Sequence, residues 1–228
     1  AQSLLIVESM KGRRNLVVHR TDYTKRHYGF LAAVGGFLES YAIINRSGLF
    51  GNAQTANFTH LWLSVAQRDL LEVIYYLTPL LLYCFAIFLA SYMPLKLKNH
   101  MWPKICLILE IISILILGFL PTDVEDKFAI LPIFFCTALQ YQTFRSCHGY
   151  GASSLFVTNN IRQCISSLTY WLVKKDHNEL ERFEIYLFVI AFFAVGAVCA
   201  MLFGLLFGDK SVLLCLIPLV CVFIMLEK

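Results

Sequence analysis

The sequence predicts an all-α polytopic membrane protein with about six transmembrane helices. These fall in two related halves, each with an extra amphipathic motif helix. Three observations predict it. Of the 228 residues, 58% are hydrophobic and only 15% charged, against roughly 25% charged in soluble domains. Residues 73–93 and 185–208 contain no charge at all, and about 20 apolar residues cross a hydrocarbon core. A short motif, Thr55-Ala56-Asn57, returns as Thr158-Asn159-Asn160 at an offset of 103 residues.

The first segment, residues 28–45, carries a single charge, Glu39. Residues 73–93 form the second span. Residues 101–120 form the third, with Lys104 at its entry and Glu110 inside. Residues 128–144 are uncharged and form the fourth, and 185–208 the fifth. Residues 211–226 are uncharged but short, about 24 Å if straight. Between the spans lie the two motif stretches, 52–67 and 153–173. In the first, Asn57, His60, Ser64 and Gln67 share one helix face, and Phe58, Leu61, Trp62 and Val65 form the apolar side. In the second, Asn160, Gln163 and Ser167 repeat the polar face, and Ile161, Cys164, Ile165 and Leu168 the apolar one.

Residues 1–27 form a basic arm with Lys11, Arg13, Arg14, Arg20, Lys25 and Arg26. Residues 28–228 form a single transmembrane domain with repeat halves at about 28–120 and 128–228. The arm is polar and no cleavage-type small-residue site follows the first span, so no signal peptide is expected. Basic residues before the first span keep that terminus cytoplasmic and touch anionic lipid. The net charge of +4 comes largely from this arm and does not point to nucleic acid. The expected location is the cytoplasmic (inner) membrane. The eight cysteines form no Cys-x-x-Cys pair, and most read as small apolar residues inside the spans.

Two topologies compete. If the motif stretches dip in or lie at the interface, six segments cross. Then 14 Lys and Arg lie inside and 4 outside, leaving Arg162 aside. If all eight segments cross, the split is 12 and 6. The positive-inside rule favours six. Six crossings make the halves inverted, as in many secondary transporters with sites near the midplane.

Glu39 sits mid-span, where a carboxylate is expensive and must face protein or water. It reads as a proton, cation or amine site, or as a structural anchor. Glu110 is similar, with a packing role as its alternative. Asn57 and Asn160 offer donors and acceptors for a polar solute, and Thr55 and Thr158 can cap the helix starts or join that network. Early helix amides there also favour an anion. The competing reading is that Thr-x-Asn only locks the two motif helices together. Arg162 supplies a fixed positive charge or reaches the headgroups. His60 shares the face of Asn57 and reads as a site residue, or as an ordinary hydrogen-bonded interior residue. Gln140 stands 20 residues before Asn160, much as Glu39 stands 18 before Asn57.

No phosphate loop, His-Glu-x-x-His or Gly-x-Ser-x-Gly motif occurs. No enzyme activity, cofactor or metal is therefore expected. The expected partners are a small polar solute or ion and the bilayer, and a homo-oligomer stays open.

Gly35-Gly36-Phe37-Leu38-Glu39-Ser40, then Gly48-Leu49-Phe50 and Thr55-Ala56-Asn57, resembles the opening of the YoaK-like family of small bacterial membrane proteins. Leu139-Gln140 followed by Phe156-Val157-Thr158-Asn159-Asn160 is similar to that family's second-half signature. Glu39 stands where the family has Asp, and Ala56 and Asn159 where it has the glycines of two Thr-Gly-Asn motifs. The resemblance implies about six spans and a loosely transporter-like role, with no substrate.

The expected function is passage of a small polar or anionic solute through a site between the halves, as a secondary transporter. Glu39, Thr55, Asn57, His60, Gln140, Thr158, Asn160 and Arg162 are its candidate residues. A channel, or a membrane sensor or assembly subunit whose polar helices only pack, are the alternatives.

Overall fold

The computed structural model describes residues 23–46, 50–52, 54–98, 101–121 and 123–227. The basic arm through residue 22 and the pair Gly48-Leu49 lie outside the described residues. The chain is all-helical there: α1 (Lys25–Asn45), α2 (Gln54–Gln67), α3 (Leu70–Tyr92), α4 (Met101–Phe119), α5 (Asp126–Ala129), α6 (Leu131–Thr143), α7 (Val157–Lys174), α8 (His177–Phe207) and α9 (Leu216–Met225). Short 3-10 turns, Met93–Leu95 and Gly208–Cys215, follow α3 and α8.

Among the described residues, three helical stretches are long and apolar enough to cross a bilayer: Leu70–Leu95, Met101–Phe119 and His177–Met225. The last contains both α8 and α9. The segment expected at 128–144 is not one helix. It breaks at Ile130, and α6 restarts with Pro132 in its first turn, where the missing N–H costs nothing. The segment expected at 211–226 opens as a 3-10 turn before α9.

Polarity runs inside out. Leu70, Leu71, Leu81, Phe85 and Phe88 of α3 are exposed, as are Val195, Val198, Leu202 and Leu205 of α8. Asn52, Asn57, Ser64, Thr137, Gln140, Ser153, Ser154, Asn160 and Ser167 are buried. In water that exposed area would be a liability. Against lipid tails it matches its surroundings, and the polar groups gather where protein satisfies them. The motif helices follow the same rule: Phe58, Trp62 and Val65 of α2 face outward, as do Ile161 and Ile165 of α7, while Leu61 and Cys164 face in.

α1 lies against α8, and α6 against α3; α1 also meets α9, and α6 meets α4; α2 pairs with α3, and α7 with α8. Both motif hairpins turn alike. Arg68 and Lys175 take left-handed backbone angles, φ 60° and 56°, and the aspartates that follow cap the next helices. Asp69 accepts from Glu72 N and Asp176 from Asn178 N, satisfying amides that a helix start leaves open.

At one end, here called proximal, Tyr23 N donates to Ser146 O at 3.3 Å and Trp102 Nε1 to Thr143 Oγ1 at 2.9 Å, while Lys25 faces Glu184 at 3.6 Å. At the other, distal, end Arg46 lies 3.1 Å from both Asp126 and Asp209, and Lys127 pairs with Glu72. That last hydrogen bond raises the Lys127 ammonium above its ordinary value.

The tightest seam is α1 on α8. A Cβ on Gly36 would land in the Phe193 carbonyl, and one on Gly196 in the Ala33 carbonyl. The two backbones touch, as small residues allow in membranes. Gly196→Val should therefore destabilise by about 3 kcal/mol or more, because overpacking usually costs about 1–3 and here the obstacle is backbone. Gly204→Ala, on the same helix, meets only Asn45 Oδ1 at 3.4 Å. It should be neutral or stabilise by about 0.5–1 kcal/mol. Thermal unfolding in detergent compares the two, and equal midpoints would refute the close crossing.

Candidate functional site

Two stretches of irregular chain return to the middle of the molecule and meet there. After α1 the chain folds back so that Asn52 reaches the level of Gly35 and Glu39. Asn52 Nδ2 donates to Gly35 O at 3.1 Å and to Leu155 O at 3.5 Å. Its backbone N–H donates to Glu39 Oε2 at 2.5 Å. After α6 the second stretch returns the same way. Gln140 Nε2 donates to Ser154 Oγ at 2.7 Å and to Leu31 O at 3.1 Å. A Cβ on Gly35 would strike Ser154 O, so this glycine lets the second stretch approach α1. Asn52 and Leu155 stand 103 residues apart, the offset of the sequence motif.

Helices α2 and α7 begin from these stretches. Asn57 Nδ2 donates to Phe50 O at 3.0 Å, and Asn160 Nδ2 donates to Ser153 O at 2.6 Å, both seven residues upstream. Asn160 Oδ1 also accepts from Ser153 N at 3.1 Å. Both ends of the Asn160 amide are thus committed to the Ser153 backbone.

Of the expected site residues, Glu39 and Gln140 lie at the central meeting. Asn57 and Asn160 brace the stretches that meet there. Thr55, His60, Thr158 and Arg162 are exposed and are not brought to the centre. The threonines do not cap. α2 and α7 start at Gln54 and Val157, two residues too early for that, and Ser153 Oγ takes Leu155 N and Phe156 N. His60 stacks on Tyr76 at 5.4 Å between ring centres, and Arg162 Nη2 donates to Asn159 Oδ1 at 2.9 Å.

Asn52, Ser154 and Thr137 belong to the centre and escape sequence reading. At the motif offset of 103 residues Asn52 lines up with Leu155, so comparing the two stretches does not flag it. Thr137 Oγ1 bonds within its own helix, to Ile133 O at 2.8 Å, and lies 3.3 Å from Gly51 O. Arg46 is the other missed residue. It reads as a charge at a span edge, yet it is 2% exposed and held between two aspartates from distant segments. Asn45 Nδ2 and Tyr41 Oη add bonds to Asp209 at 3.5 and 3.1 Å.

Chemically, the centre is short of donors. Asn52 Oδ1 is buried and has no partner, and Glu39 presents a carboxylate beside it. Such a pair suits a proton, a monovalent cation or a donor group on a solute. Among the described residues no group of His, Cys, Asp and Glu has the arrangement to hold a metal ion. A second buried carboxyl, Glu110, is 1% exposed, takes Cys106 Sγ–H at 3.3 Å, and leaves Oε2 unpartnered.

The chain belongs to the family described as "Protein of unknown function (DUF1275)", matched over residues 28–225. No curated protein and no solved structure matches it.

The bracing roles of the two asparagines differ in weight. Asn160→Ala orphans a buried N–H and a buried C=O at Ser153, at about 1–3 kcal/mol each. It should cost about 2–4 kcal/mol in total. Asn57→Ala orphans one carbonyl and should cost about 1–2 kcal/mol. Unfolding midpoints of the purified variants rank them, and a more damaging Asn57→Ala would contradict these roles.

Proposed function

We propose that the protein is a secondary transporter for a small polar or anionic solute, embedded in the cytoplasmic membrane with its N-terminus inside. One observation carries this reading: two returning chain segments meet at Asn52 and Leu155, beside the mid-helix carboxylate Glu39. Irregular backbone at membrane depth is tolerated only where protein buries it or a cavity needs it. Transporters with repeated halves put broken helices of this kind around their midplane site.

The helix directions support six crossings in inverted halves. α1 runs from the proximal to the distal end, α3 returns and α4 goes back; α6, α8 and α9 run in the opposite sense at each step. α2 and α7 then re-enter from opposite ends. The proximal end carries Lys25, Lys96, Lys104 and Arg145, in keeping with a cytoplasmic side.

In this reading Glu39 is the coupling carboxylate and takes up a proton or cation together with Asn52 Oδ1. Asn57, Asn160 and Gln140 hold the returning segments in place. The Arg46–Asp126–Asp209 cluster closes the distal end and must part when the halves rock. That cluster also argues against a channel, which needs a continuous polar file.

Proteoliposomes holding an internal pH dye test coupling. A panel of small organic acids and polar metabolites is added outside under an imposed pH gradient. The wild type should show solute-dependent proton flux, and Glu39→Gln should lose at least about nine-tenths of it. Undiminished flux in Glu39→Gln would remove the coupling role, and no flux with any solute would remove the transport reading. Topology has its own check, in a cysteine-free background in intact cells. An impermeant thiol reagent should label Asp123→Cys and spare Lys96→Cys. The reverse pattern would overturn the six-crossing arrangement.

A further inference from the structure

We propose that a cavity at the proximal end, walled by the second returning segment and the start of α7, is a binding site for a small organic anion. The cavity measures about 280 Å³ and is lined by Tyr141, Arg145, Ser153, Phe156 and Asn159, with backbone from Gly151 and Ala152. That volume lies at the small end of ligand clefts, which run from about 300 Å³ upward. It suits a compact metabolite rather than a nucleotide.

The wall is depleted of acceptors. The backbone carbonyls of Gly151 and Ser153 are already taken: Tyr186 Oη donates to Gly151 O at 3.1 Å and Asn160 Nδ2 to Ser153 O at 2.6 Å. Tyr28 Oη shares its one hydrogen between Phe144 O at 2.8 Å and Ala152 O at 3.2 Å. Asn159 Oδ1 is held by Arg162. Donors remain. The Asn159 Nδ2 hydrogens are uncommitted, and Ser153 Oγ accepts from two amides, so its own hydrogen is free to donate. Arg145 brings a permanent charge and forms no ion pair among the described residues, and no acid lines the cavity. A pocket with donors, one cation and few acceptors selects a ligand rich in acceptors and negatively charged.

The apolar side limits the choice further. Tyr141 and Phe156 meet edge to face, with ring centres 4.8 Å apart, and form an aromatic corner of the cavity that also holds Arg145. A carboxylate or phosphate carrying a small apolar body satisfies both walls, whereas a bare inorganic anion uses only one. The charged group comes either from a free organic acid or from a lipid headgroup at the proximal surface. This site deepens the transport reading by naming the class of solute, and it rests on binding rather than on flux.

The test uses the full chain in phosphatidylcholine nanodiscs, titrated by calorimetry with benzoate and with benzylammonium, its cationic analogue. Benzoate should bind saturably and benzylammonium should not. Arg145→Gln, and independently Asn159→Asp, should weaken benzoate at least tenfold, while Lys210→Gln at the distal end should leave it unchanged. Adding phosphatidylglycerol to the discs separates the two sources. Competition seen in the wild type and lost in Arg145→Gln identifies a lipid headgroup as occupant, and no competition identifies a free acid. Equal binding of both probes, undiminished benzoate binding in both cavity variants, or no benzoate binding would each overturn the site. Binding without flux would sink the transport reading alone; flux without binding would sink this site alone.

Discussion

Irregular backbone placed inside an apolar medium must find hydrogen-bond partners, and the arrangement of this protein follows from that demand. A helix satisfies its own peptide groups, but a chain that turns back at membrane depth does not. Side chains here do the work that water does elsewhere. Tyr28, Tyr186, Asn52, Asn57 and Asn160 donate to carbonyls of the returning segments, and Gln140 reaches Ser154. Asn52 lies on a returning segment itself, and the other donors sit on helices, so helix packing fixes most of the donors and the donors fix the segments. Burying such groups without partners would cost several kcal/mol apiece, more than a marginally stable fold tolerates.

The same demand explains which parts of the fold are legible in the sequence. Stretches facing lipid announce themselves, because few but apolar side chains are tolerated there; α3, α4 and α8 fall close to the expected apolar spans. The motif helices are legible too, through their polar stripe. What fails is the inference from a polar residue to its role. Thr55 and Thr158 sit where a cap belongs by spacing alone, but the helices start two residues too early to use them. Asn160 reads as a solute ligand because an amide can bind anything, yet its nearest unmet need is the Ser153 backbone. That need exists only once the chain has folded back, and no periodicity records it. Arg46 is invisible for a related reason: Asp126 and Asp209, which make its burial tolerable, lie far away in sequence.

Glu39 and Gln140 hold comparable places with unlike chemistry. Both sit on the helix that precedes a returning segment, and each touches that segment: Glu39 by accepting from Asn52 N, Gln140 by donating to Ser154 Oγ. The carboxylate receives and the amide gives. One returning segment therefore meets a chargeable acceptor and the other a neutral donor, around a junction where Asn52 Oδ1 still lacks a partner. Two carboxylates there would repel each other in a medium that screens them poorly. With a single one, the junction carries at most one negative charge.

The proximal cavity has the opposite chemistry. Its carbonyls are taken, its donors are free and its one charge is positive. An acceptor-rich centre and a donor-rich cavity share the 152–155 segment, whose backbone forms the cavity wall on one side and contacts Asn52 and Gly35 on the other. An anion bound at Arg145 and a cation or proton bound at Glu39 would therefore pull on the same few peptide groups. Neutralising both charges together lowers the cost of moving either through the apolar interior, which is a physical reason for the two sites to be loaded as a pair.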